Sequence, residues 1–145
     1  MGIAVDDGGV LFIADTGNHL IRRLEDGTVS TFAGDSNFTA ARDDGEGSWL
    51  GGFADGTGQD ALFNQPMGLA IWNDVLLVAD SLNHSIRAVN MDGEVRTLAG
   101  TGYSDHRDGY FGEAAFHFPS GLSVLGGYLF VADTGNNMIR VINLE

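Results

Sequence analysis

Three aspartates each stand seven residues before an arginine: Asp15 and Arg22, Asp80 and Arg87, Asp133 and Arg140. A carboxylate and a guanidinium at fixed spacing could bind a polar ligand or take part in acid–base chemistry. Four imidazoles (His19, His84, His106, His117) and a stretch reading DDGEG, with Asp43, Asp44 and Glu46, add candidate metal ligands. Each set has a plainer reading. A zinc centre needs three or four converging ligands. His19 and His84 occupy matching places in a repeat, and Asn137 takes that place in the third copy. His106 and His117 share one linker, with nothing to fix their geometry. The DDGEG stretch resembles oxygen-rich calcium loops, but without the alternating ligand spacing of an EF-hand. No cofactor is expected, calcium being the one weak candidate. The Asp–Arg pairs recur in every copy, as a scaffold requires, so they read as structure and not as an active site.

The pairs belong to a ten-residue phrase written three times: IADTGNHLIR (Ile13 to Arg22), VADSLNHSIR (Val78 to Arg87) and VADTGNNMIR (Val131 to Arg140). Upstream stand GIAV, GLAI and GLSV. Downstream, EDGTVSTFAG from Glu25 matches MDGEVRTLAG from Met91. The linkers match too: DGTGQDALFNQP ends at Pro66 and DGYFGEAAFHFP at Pro119, the only two prolines. Each copy reads as a four-stranded antiparallel meander, a to d. Strand a alternates small residues, suited to a place where sheets converge. Strand b (VLFIA, VLLVA, YLFVA) is apolar throughout, so both its faces must be covered. Asp-Gly between c and d signals a tight hairpin. The phrase is then the b–c hairpin, where the aspartate accepts from turn amides and Gly and Asn supply positive φ. Short sheets stacked by repetition make an all-β β-propeller, one blade per repeat. The boundaries are blade 1 at about 2–34, linker 35–65, blade 2 at about 66–100, linker 101–118, and blade 3 at about 119–145, lacking its outer strand.

DTGNHLIR, with GIAV before it and DGTVSTFAG after it, resembles the NHL repeat, and the linkers resemble those of a bacterial branch of that family. The resemblance implies a propeller, commonly of six blades, acting as a binding platform. Some relatives bind RNA, and one branch is a zinc lyase. About three blades cannot close a ring. The chain therefore reads as a piece of a longer protein, with open apolar flanks that seek partners. A homodimer of half-propellers completing a six-bladed ring is the expectation, an edge-paired dimer the alternative.

Charge narrows the partners. The net charge is −13, with seven arginines and no lysine, which disfavours nucleic acid and anionic lipid. No run of about 18 apolar residues suggests membrane insertion. Cysteine is absent, so no disulfide forms and no thiolate binds metal. The b–c turns and the d-to-a linkers should share one rim, which makes that rim the expected binding face. Candidate residues there are Phe38, Arg42, Asp43, Asp44, Glu46 and Trp49 in the first linker and Tyr103, His106 and Tyr110 in the second. Phe63 and Phe116 should plug the gaps between blades, and Asp55 and Asp108 should make turns. The expected function is a non-catalytic binding or scaffolding module with a protein or glycan partner, in an extracellular or cell-envelope setting. The alternative is part of a propeller enzyme whose catalytic groups lie on other blades.

Overall fold

Strand b is the place to begin, because its sequence demands cover on both sides. In the structure, a computed structural model describing residues 1–38, 40–41 and 49–145, the middle copy shows how that demand is met. Leu76 and Val78 point into one apolar cluster and Leu77 and Ala79 into another. The first cluster lies between blades 1 and 2 and the second between blades 2 and 3.

Blade 1 is a meander of β1 (Ile3–Val5), β2 (Leu11–Asp15), β3 (Leu20–Glu25) and β4 (Thr28–Ala33), in that order across the sheet. The first linker contains two short pairing segments, β5 (Ala40–Ala41) and β6 (Trp49–Leu50), and an edge strand, β7 (Gly56–Thr57). Blade 2 is β8 (Pro66–Trp72), β9 (Val75–Asp80), β10 (Ser85–Asn90) and β11 (Glu94–Ala99). Blade 3 is β12 (Pro119–Leu125), β13 (Tyr128–Asp133) and β14 (Met138–Asn143). All pairing is antiparallel and follows chain order. One addition was not expected. β7 pairs with β11 and gives blade 2 a fifth strand drawn from the linker.

The tight turns follow their residue chemistry. Asp26–Gly27, Asn73–Asp74 and Gly126–Gly127 all have positive φ at both positions, the primed geometry that matches strand twist. The inner strands converge as their small residues require. A Cβ on Gly68 would lie 2.6 Å from the Ser120 carbonyl oxygen of the next blade, and one on Gly2 would strike the Met67 carbonyl. Phe63 and Phe116 are buried in the two inter-blade clusters, as plugs should be.

The outer flanks stay open. Leu69 and Ile71 of blade 2 pack against blade 1, while their blade 1 counterparts, Ile3 and Val5, are each 55% exposed. On blade 3, Leu125, Phe130, Ile139 and Val141 are exposed, where Trp72, Leu77, Ile86 and Ala88 of blade 2 are packed. Among the described residues no helix is long and apolar enough to cross a membrane.

Candidate functional site

Two of the three Asp–Arg pairs end up as hubs, and the two are alike bond for bond. Arg87, with no exposed surface, gives Nη1 to Asp80 at 2.7 Å and to the Leu62 carbonyl at 3.0 Å. Its Nη2 goes to the Ala54 carbonyl and to Asp55, both at 2.7 Å. The guanidinium carbon lies 4.9 Å from the centre of Phe53 and 5.2 Å from that of Phe63, a stacked arrangement that suits a weakly hydrated planar cation. Arg140 repeats the pattern with Asp133 (3.1 Å), the Ala115 carbonyl (3.1 Å), the Arg107 carbonyl (2.9 Å), Asp108 and the ring of Phe116. A buried guanidinium needs its donors paired, and four acceptors per arginine largely meet that need.

The two carboxylates at Arg87 are tuned in opposite directions. Burial pushes the Asp80 carboxyl up from the ordinary range, against the pull of Arg87 and the donors of Asn64 and Asn83. At half-exposed Asp55 the burial cost is outweighed by the Thr97 amide, Arg87 and the Thr97 hydroxyl, which hold it below its ordinary value. Both accept from the one guanidinium, Asp80 at Nη1 and Asp55 at Nη2. This is an architecture for fixing a linker, with no acid–base pair poised on a cleft.

Arg22 differs. It has Asp15 at 3.7 Å and, among the described residues, no linker carbonyl. It faces the open flank of blade 1.

From the turn the aspartates accept the side-chain amide of its asparagine, as the sequence suggested, and the backbone donors come from the linkers. Asp80 takes the backbone N–H of Asn64 at 2.8 Å, and Asp133 that of His117 at 2.7 Å, both from linkers. Their second oxygens take the side-chain amides of Asn83 and Asn136. The b–c turn itself is a 3-10 turn closed by a left-handed residue, which is His19, His84 or Asn137, and not the preceding Gly or Asn. Histidine and asparagine are among the side chains that tolerate that region. The two histidines also work as staples. His19 Nδ1 accepts from the Gln65 N–H at 2.9 Å, and His84 Nδ1 from the Phe118 N–H at 3.2 Å. Asp55 and Asp108, read from sequence as turn formers, are partners of the buried arginines. Their matching positions in the two linkers were the available signal.

The candidate binding residues that are described lie at opposite ends of the chain's blades. Arg42, Asp43, Asp44 and Glu46 lie outside the described residues, and Trp49 enters only through the backbone of β6. Phe38 lines a hollow of about 390 Å³ with His19 and Arg22, at the blade 1 end. At the other end, His106 lines a hollow of about 580 Å³ with Met138 and Arg140, and Tyr110 a smaller one with Phe111 and Val141. Tyr103 and Tyr110 project into solvent, 80% and 85% exposed. The linkers hold to the 3-10 turns through Leu82 N–H to Asn64 and Gly135 N–H to His117. Part of the first linker departs from that rim, however: Gly58 bonds Gly93 in the β10–β11 turn at the opposite end of the hairpin. Among the described residues no three His, Cys, Asp or Glu side chains are grouped to hold a metal ion.

The repeat, its turn and its register can be set beside known proteins. The family model for the NHL repeat matches residues 2–24. The chain belongs to the NHL-repeat β-propellers. It is 37% identical over 140 residues to the protein SUPPRESSOR OF QUENCHING 1, chloroplastic, of Arabidopsis thaliana, covering 92% of this chain and 13% of that protein. It is 36% identical over 148 residues to NHL repeat-containing protein 2 of Gallus gallus, covering 93% of this chain and 19% of that protein. It thus spans less than a fifth of these NHL-repeat relatives. In fold it is similar to an auxiliary nutrient binding protein of Bacteroides thetaiotaomicron, with a TM-score of 0.76 at 23% identity, over 96% of this chain and 36% of that one.

Proposed function

We propose that this NHL-repeat chain is a non-catalytic binding or scaffolding segment of a larger propeller, which presents its linker and b–c turn rim to a protein or glycan partner. One observation carries the reading. The second linker is held at Asp105 by Asn136, at Arg107 by Arg140, and at His117 and Phe118 by Asp133 and His84, while its aromatic side chains Tyr103 and Tyr110 are left in solvent. Exposed tyrosines on a pinned backbone give contact area at low entropic cost, which is what recognition surfaces use. A nutrient-binding propeller among the similar folds supports the binding class. An extracellular or envelope setting goes with that reading.

The open flanks support a second copy as their cover. The exposed apolar positions of blade 3 correspond to those with which blade 2 packs on blade 3, and those of blade 1 to those with which blade 2 receives blade 1. A head-to-tail dimer would set the blade 3 flank of one copy on the blade 1 flank of the other and so repeat the contact that successive blades already make. No ion is proposed for Asp43, Asp44 and Glu46, and calcium is the one to test.

The test has two stages on the same sample. Light scattering, with calcium and then with chelator, should give twice the chain mass in both. A monomer would end the ring proposal, and a chelator-dependent mass would make the acidic stretch a cation site. A glycan array and a set of basic protein baits should then yield a saturable partner that the double variant Tyr103→Ala, Tyr110→Ala loses. Retention unchanged in the double variant would refute the rim assignment.

A further inference from the structure

We propose that His84 is a pH-sensitive latch, which as a neutral imidazole fixes the end of the second linker to blade 2 and on protonation releases it. The geometry starts at the Phe118 N–H, which donates to His84 Nδ1. A ring nitrogen that accepts carries no proton, so this imidazole is neutral with its hydrogen on Nε2. Protonation would set two N–H groups against each other and remove the bond.

What the bond holds is under strain. Phe118 has a φ of +51° and precedes Pro119. Positive φ is uncommon for an aromatic residue, and the position before proline is restricted further. Such a conformation persists where its surroundings impose it. The residue before it is held separately: the His117 N–H donates to Asp133, and the His117 carbonyl accepts from the Gly135 N–H. The His84 bond is therefore the last fastening before β12 begins.

The surroundings favour the neutral form. The His84 ring centre lies 4.9 Å from that of Phe118 and 5.6 Å from that of His117, and the latter two are 4.4 Å apart. The titratable groups facing it are His117 of the linker and Asp133 of blade 3; on its own hairpin Asp80 and Arg87 are paired with each other. Burial, then the second imidazole, lower the proton affinity of His84 more than Asp133 raises it. The sign follows. In the unfolded chain the group titrates near 6.5, and in the fold it titrates lower. The latch's contribution is complete above 6.5 and is lost as pH falls from there toward the folded value.

The matching turn position of blade 3 carries a side chain that cannot titrate. Asn137 occupies the same left-handed position with a φ of 55°, against 51° for His84. His84→Asn should therefore keep the turn and an acceptor while removing the pH response. The linker that the latch fixes carries Tyr103, His106 and Tyr110, so the consequence for ligand capture rests on the reading above; the latch itself does not.

The experiment needs no ligand. Amide exchange at Phe118 is followed by NMR in the full chain from about pH 7.5 to about pH 5, the range over which imidazoles titrate. In the wild type, protection corrected for intrinsic exchange should fall by up to about tenfold per pH unit as pH drops from 6.5 toward the lower folded value, and then level off. In His84→Asn it should stay level. Equal pH dependence in the two proteins would overturn the latch. So would a Phe118 amide that stays protected while the His84 ring shift reports imidazolium, a comparison that the wild type alone provides.

Discussion

Arg87 and Arg22 are the same residue in the same repeat, and they live in different chemistry. Arg87 is sealed between two phenylalanine rings and four acceptors from three parts of the chain. Arg22 is about a third exposed and makes one long ion pair. The difference lies outside the ten-residue phrase. It comes from the linkers before blades 2 and 3, each of which lays two carbonyls and one carboxylate over the arginine of the blade that follows. The phrase alone makes a hairpin, and the linker turns that hairpin into a joint between blades.

Breaking the sealed joint should show the largest effect. Arg87→Met leaves Asp80 buried without its cation and two linker carbonyls without a donor. A loss of about 3–5 kcal/mol is expected in a denaturant titration, the range for an unpaired buried charge. A smaller effect should follow from crowding the inner strands. Gly68→Ala drives a methyl group into the Ser120 carbonyl, at an expected cost of about 1–3 kcal/mol. Gly121→Ala makes only an ordinary contact with Ala132 and should leave the thermal midpoint nearly unchanged. Arg22→Met should likewise have a small effect, no more than about 1 kcal/mol, as exposed pairs do. Should Arg22→Met prove as costly as Arg87→Met, the linker would not be what separates them.

Much of this was legible in the sequence. The repeat of VLFIA, VLLVA and YLFVA required cover on both faces, and the recurrence required stacked blades. Phe63 and Phe116 could be assigned as plugs because two linkers of unlike composition agreed there. What escaped was pairing at a distance. Asp55 recurs as Asp108, but recurrence does not say that the carboxylate meets an arginine 32 residues later, and Asp-Gly is an ordinary turn signal. The staples at His19 and His84 were hidden in the same way, since their partners are backbone amides that any residue supplies. β7 escaped because two residues carry no periodicity. The candidate binding residues were chosen by exposure and irregularity, which name a rim without naming a point on it.

The order of partners around the two sealed arginines has a consequence for synthesis. Every acceptor of Arg87 precedes it in the chain: Ala54, Asp55, Leu62 and Asp80. The same holds for Arg140, with Arg107, Asp108, Ala115 and Asp133. As the polypeptide leaves the ribosome at about 5–20 residues per second, each guanidinium emerges to find its whole cradle already outside the tunnel. A blade can lock onto its predecessor as soon as its third strand appears, without waiting for anything downstream. Growth in one direction is thus written into the polarity of the bonds.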